Sequence, residues 1–394
     1  MSQQPGKLWT KTFILTSIVN FVLMLSMFLL IVIMTNYAIE TYKVSTSIAG
    51  LVSSIFILGA LFGRLYGGNR INYIGSKRML MIGILLFIGM GIFYLFKINI
   101  GLLLLVRIIQ GVGVGMATTA TGTIVAQIIP SHRTGEGIGY FSSSVVLATA
   151  IGPLIGILFV AQFPYSFVFS FSLVIGILSF ILSIWIDAPH IDVSDEDETK
   201  GLSITSFLEK TAIPIAFIML LNGFAYSSIL SFISTYATDI NLIQAGSLFF
   251  LVYAIVVLLT RPISGKLLDR LGANAIVYPA LISFAIGLFL LSKTTTTLTF
   301  LLAAAVIGIG FGNFQSTAQA VAIKRAPIER MGLATATFYI FYDFALGLGP
   351  LLLGYLIPII GFRSVYLQLG LFVLFSLLLY FFIFGRHEKK RFAS

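Results

Sequence analysis

Of 394 residues, 58% are hydrophobic and 10% charged, more apolar surface than a water-soluble fold can bury, so a bilayer must solvate the excess. The net charge of +10 invites a nucleic-acid reading, but the Lys and Arg residues sort by membrane side and remove it. Zero cysteines exclude disulfides and thiolate metal sites.

Apolar runs recur from Phe13 to Phe384, each long enough to cross roughly 30 Å of hydrocarbon as a helix rising about 1.5 Å per residue. In chain order the predicted spans are 13–35, 47–67, 79–97, 101–127, 137–160, 164–186, 212–235, 245–267, 274–293, 297–323, 331–358 and 361–384. Uninterrupted runs exclude a barrel, whose strands would alternate apolar and polar residues. The expected class is therefore all-α, with twelve transmembrane helices. The first run has no small-residue cleavage site and passes straight into further spans, so it is expected to stay as span 1.

Placing both termini and the even-numbered loops on one side gathers most of the basic residues there, among them Arg70, Lys77, Arg78, Arg133, Lys266, Arg270, Lys324, Arg325 and Arg330. The other side keeps Lys43, Lys97, Lys293 and Arg363. The positive-inside rule then puts both termini in the cytoplasm of what is expected to be a bacterial plasma membrane, with the basic side against anionic lipid headgroups.

Laid against itself, the chain repeats at an offset of 197 residues. Arg64 falls on Arg261, Gly68 on Gly265, Gly75 on Gly272, Gly111 and Gly115 on Gly308 and Gly312, Arg133 on Arg330, and Gly152-Pro153 on Gly349-Pro350. Each half holds six predicted spans, so the two bundles share one orientation and are related by an axis along the membrane normal, with a cavity between them. The expected domains are an N-terminal bundle over 1–186, a linker over 187–210, and a C-terminal bundle with a basic tail over 211–394. Residues 192–200 are acidic and polar enough for a solvated tether.

Where span 2 turns into span 3 stands GRLYGGNRINYIGSKR, residues 63–78, and one repeat later RPISGKLLDRLG, residues 261–272. The glycines permit close helix approach and a tight turn, and the charges can pair with helix ends in one state and release them in another. These segments resemble the loop signature of the major facilitator superfamily, and the resemblance covers essentially the whole chain. It implies two pseudo-symmetric six-helix bundles and a conformational switch at Arg64, Gly68, Asn72, Arg261, Gly265 and Asp269. The acidic position of the signature is Asn72 in the first half, and only Asp269 keeps the carboxylate.

In span 4, Arg107 lies about two turns inside the outer boundary, where an isolated charge costs ~2.5–3.5 kcal/mol at mid-membrane and normally faces a cavity. The run 107–115, RIIQGVGVG, is similar to the helix 4 motif of the superfamily's proton antiporters, which implies a part in proton transfer. The alternative is an arginine snorkelling to the outer headgroups. In span 5, Gly152, Pro153 and Gly156 are similar to the Gly-Pro motif of the antiporters, which implies export and adds these three to the conformational switch: the glycines admit another helix and the proline bends this one, for a stiff contact expected between the halves.

Asp343 lies about twelve residues, or ~18 Å, into span 11, the one acid of fourteen that the bilayer core must accommodate. A carboxyl alternately exposed to two solutions can bind and release a proton, so Asp343 and Arg107 are the proton-coupling candidates. The resemblance lines the cavity with the first and fourth helices of each half. It marks Asn20, Asn36, Gln110, Asn222, Tyr226, Asn313, Gln315 and Gln319, with Tyr339 and Tyr342 beside Asp343, as substrate-binding candidates.

The expected function is proton-coupled export of a small amphipathic or zwitterionic molecule, a drug or metabolite, by a monomer that needs no cofactor, metal or nucleic acid. The alternatives are export of an opine or carboxylate metallophore, or an uptake carrier without proton coupling. An intramembrane enzyme lacks parts: His132, His190 and His387 fall in loops or tails, and no second acid accompanies Asp343 at depth.

Overall fold

The computed structural model describes residues 7–189 and 207–388. The acidic stretch 192–200 and His190 lie outside them. The described residues are helical, without a strand. We number the long helices α1 Lys11–Tyr42, α2 Thr46–Ile74, α3 Ser76–Ile92, α4 Ile100–Ile128, α5 Thr134–Gln162, α6 Tyr165–Ile184, α7 Ile213–Asp239, α8 Ile243–Leu271, α9 Asn274–Lys293, α10 Thr297–Lys324 and α11 Met331–Tyr380. Their starts carry ordinary capping chemistry. Thr10 accepts from the Phe13 N–H, Asn99 from the Leu102 N–H, and Thr296 and Thr299 bond each other's backbone.

Eleven helical stretches among the described residues are long and apolar enough to cross a membrane. The last runs from Ile328 to Gly385, 58 residues, which at about 1.5 Å each is far longer than one crossing of roughly 30 Å needs. Its backbone is broken at Gly361, with φ 77° and ψ 158°. Gly75, between α2 and α3, has φ 87° and ψ 137°, and Gly272, between α8 and α9, has φ 81° and ψ 174°. A side chain at Gly75 or Gly361 would meet open space, so the positive φ alone calls for glycine there. The expected count of twelve is reached only by dividing α11 at this residue.

Contacts gather the chain into two compact units. The first holds α1 to α4, α5 from Ser144 onward, α6, and α11 up to Ile340. Its core is the crossing of α4 with α2 and α3. Apolar side chains gain little by leaving lipid for a neighbouring helix, so close packing and interhelical hydrogen bonds carry the association. A methyl group on Gly111 would strike the Phe56 carbonyl, and one on Gly115 the Ala60 carbonyl; Gly59 and Gly63 return the contact against Ile108 and Val112.

The second unit holds α7 to α10, residues 131–143 at the start of α5, and α11 from Phe341. Its equivalent crossing, α8 with α10, has Val256 and Thr260 in place of Gly59 and Gly63. There α10 takes a π-helical turn over Gly308–Gly312, and Gly312 lies against the Val257 side chain.

Candidate functional site

In the first unit Arg64 is buried, donates to Thr118 Oγ1 at 3.0 Å, and stacks 4.4 Å from the ring centre of Tyr339. Gly68 lies on Ala336, so α2 meets the opening turns of α11 at the residue the signature reserves for glycine. Asn72 donates its amide to the Glu329 carbonyl. In the second unit the same framework carries different chemistry. Arg261 is fully buried and donates to the Gly312 carbonyl at 3.1 Å and to Gln315 Oε1 at 2.9 Å. Gln315 stands one repeat after Thr118, so the two arginine contacts are equivalent. Gly265 lies against the Gly135 carbonyl at the start of α5.

Asp269 receives the backbone N–H groups of Gly135 at 2.8 Å and Glu136 at 2.9 Å. These are orphan donors of the first turn of α5, where the helix dipole also favours an anion. Lys324 approaches Asp269 to 3.8 Å, and Glu136 pairs with Arg133 at 2.7 Å and Lys266 at 3.6 Å. Two acids with little side-chain exposure, three basic side chains and a helix start thus form one charged clasp.

Arg107 is fully buried in α4, so it neither snorkels nor opens to a cavity in this structure. Its Nε donates to the Val52 carbonyl at 3.0 Å, its Nη1 to Gln110 Oε1 at 3.1 Å, and its plane lies 4.5 Å from the Phe56 ring centre. Tyr94 donates to the same Gln110 oxygen at 2.5 Å. Arginine can only donate, so Arg107 requires the carbonyl end of Gln110 to face it, and the Tyr94 hydroxyl then donates to the same oxygen. No described carboxylate lies within ion-pair distance, and Nη2 has no hydrogen-bond partner.

Most of the polar cavity candidates are engaged between helices. Asn20 donates to Ser144 and accepts from Thr121, both at 2.9 Å. Asn222 bonds Ser376 on α11, and Asn313 bonds Thr260 and Ser264 on α8. Asn36 is exposed on α1, and Gln319 is buried on α10. Tyr226 stacks on Phe311, ring centres 4.0 Å apart, with Tyr253 at 5.8 Å from Tyr226 and Tyr342 at 6.4 Å from Phe311. The π-helical turn holds Phe311 in this cluster, a placement with no periodic signal in the sequence. Gly152 and Gly156 admit α1, through Leu25, Phe28 and Leu29, so the helix they let approach belongs to their own unit.

Asp343 is the thirteenth residue of α11 and partly exposed, whereas the other described acids stand near helix ends or outside the long helices. One turn on, along the same face, a side chain at Gly347 would meet only open space. No three described His, Asp or Glu side chains gather as a metal site.

The family model of the Major Facilitator Superfamily matches residues 16–291 and 215–394, nearly the whole chain. The chain belongs to the major facilitator superfamily. An uncharacterized MFS-type transporter of Methanocaldococcus jannaschii is 27% identical over 369 residues, covering 92% of this chain and 95% of that one. The quinolone resistance protein NorA of Staphylococcus aureus is 28% identical over 192 residues, 48% of this chain and 49% of NorA. Among solved structures, the human organic anion transporter MFSD10 superposes with a TM-score of 0.77 at 14% identity, covering 94% of this chain and 98% of that one. The proton:xylose symporter XylE gives 0.74 at 14%, covering 95% and 96%. At that identity the two structures establish the fold alone. This superfamily member is a multi-pass membrane transporter of small molecules. Sequence reasoning missed Tyr94, which bonds Gln110, and the buried acids Glu136 and Glu209, which pair with Arg133 and Arg330, because none belongs to the signature.

Proposed function

We propose that this carrier is a proton-coupled exporter of a small amphipathic or zwitterionic molecule, working by alternating access with twelve spans, the last two turning at Gly361. The observation that carries the reading is Asp343. A carboxyl held far from either helix end, on a face with open space one turn along, is expensive to keep in a bilayer unless it serves a function. It can take a proton from one solution and deliver it to the other as its exposure alternates. The likeness of about half the chain to NorA favours export and a drug-like cargo. The six-span halves over 1–186 and 211–394, with both termini on the cytoplasmic side, supply the rocking bodies.

Comparing metabolites retained by cells with and without the protein, with a quinolone included as a probe, identifies a cargo. Counterflow in proteoliposomes then tests the coupling. Uphill movement is expected only with an imposed pH gradient and should vanish in Asp343→Asn. Flux indifferent to the gradient would remove the antiport mechanism and leave a uniporter.

A further inference from the structure

The opening turns of α5 and of α11 are equivalent by the repeat, yet among the described residues only α5 meets a carboxylate from the other half's signature turn, that of Asp269. At the matching place Asn72 gives a hydrogen to a carbonyl, and a neutral amide cannot hold N–H groups or basic side chains as an anion does. A different acid stands at α11. Glu209, just ahead of α7, is only 3% exposed. Its Oε2 lies 2.6 Å from Arg330 Nε, and its backbone N–H donates to Thr337 Oγ1 at 2.8 Å. Arg330 and Thr337 bracket the first two turns of α11. Those same turns rest on α2 and α4 through Ala336 on Gly68, Gly332 on Ile71 and Thr123, and Thr335 on Gly122. A carboxylate this buried is tolerable only while its cation is in place. The residue one repeat before Glu209 is Thr12, so no second acid copies the arrangement.

We propose that Glu209 supplies, from the segment joining the halves, the carboxylate that Asn72 lacks. It is a positioning residue of transport that clamps the opening turns of α11 onto α2 and α4, and its release is a step of the cycle. The consequence for turnover rests on the alternating-access reading; the clamp does not.

The chain has no cysteine, so one introduced thiol is a unique label site. Thr335→Cys places it at a fully buried position facing Gly122 with little change of volume. In full-length protein reconstituted in proteoliposomes, N-ethylmaleimide should react slowly with this thiol. Glu209→Gln should raise the rate about tenfold, the scale of losing one close, partly buried ion pair. Adding Asn72→Asp should return the rate toward that of the parent, because a carboxylate again faces the helix start. Arg330→Gln provides a second route should Glu209→Gln not fold. Unchanged labelling overturns the proposal by making Glu209 a spectator. A rise that Asn72→Asp leaves untouched also overturns it, by making Glu209 an ordinary fold contact. No cargo enters the assay, so the export reading can fail without affecting the result.

Discussion

The crossing of α2 with α4 and that of α8 with α10 descend from one repeat and have diverged in how they are packed. In the first, four glycines bring two backbones into direct contact, and α4 stays a regular helix. In the second, Val256 and Thr260 replace two of the glycines, and α10 takes a π-helical turn at the crossing. Side-chain bulk on one helix has been exchanged for backbone irregularity on the other, which also places Phe311 under Tyr226. Charge has diverged in parallel. The first half buries a cation, Arg107, among neutral partners, while the second carries the deep acid Asp343 and the helix-capping acid Asp269. An inherited backbone therefore fixes where helices cross and leaves open what chemistry sits at the crossing.

The packing contrast can be broken most severely at its tightest point. Gly115→Val drives a side chain into the Ala60 carbonyl, which cannot move without moving α2, and should cost about 3 kcal/mol, enough to abolish the purifiable monodisperse protein. Gly312→Val meets the Val257 side chain, which can rotate away, and should cost nearer ~1 kcal/mol in thermal unfolding. Equal effects would refute the distinction between the crossings. Next, Asp343→Asn should abolish gradient-driven flux while leaving melting temperature and insertion unchanged. A comparable loss on replacing Val146, its counterpart one repeat earlier, by Leu would show that packing and not charge is at stake.

The charge contrast gives smaller effects. Asp269→Asn removes the anion from the start of α5 and should destabilise by about 1.5–3 kcal/mol, whereas Asn72→Asp should change stability by less than about 1 kcal/mol. Thermal unfolding of both in one detergent sharpens the asymmetry, and equal shifts would dissolve it. Gln110→Glu sets a carboxylate beside Arg107 and should raise the melting point by a few degrees, for a gain of about 1 kcal/mol. A lowered melting point would mean that the cation is better held by the neutral carbonyl and Tyr94.

Much of the fold was legible because its signals are local. Span lengths follow from apolar runs, and the helix turns at Gly75 and Gly272 from glycines at matching offsets. The break at Gly361 falls where predicted span 361–384 begins, and there the backbone leaves helical φ/ψ. The site was legible only in part. The signature pointed to Arg64, Arg261 and Asp269, which lie in hydrogen-bonded settings, while the polar residues read as cavity lining, such as Asn20, Asn222 and Asn313, bond neighbouring helices. A side chain's type says that it needs a partner in lipid and not which partner it finds.

By itself the sequence determined the membrane class, the duplicated plan and the positions where backbones must come close, since each depends on hydrophobic length or on the absence of a side chain at one residue. Tertiary structure alone decided that Arg107 lies between Val52, Gln110 and Phe56 with no described acid in ion-pair reach, and that Glu209 meets Arg330 far along the chain. Those pairings depend on which helix faces are brought together in space, and hydrogen bonds and ion pairs act over a few ångströms and not along the chain.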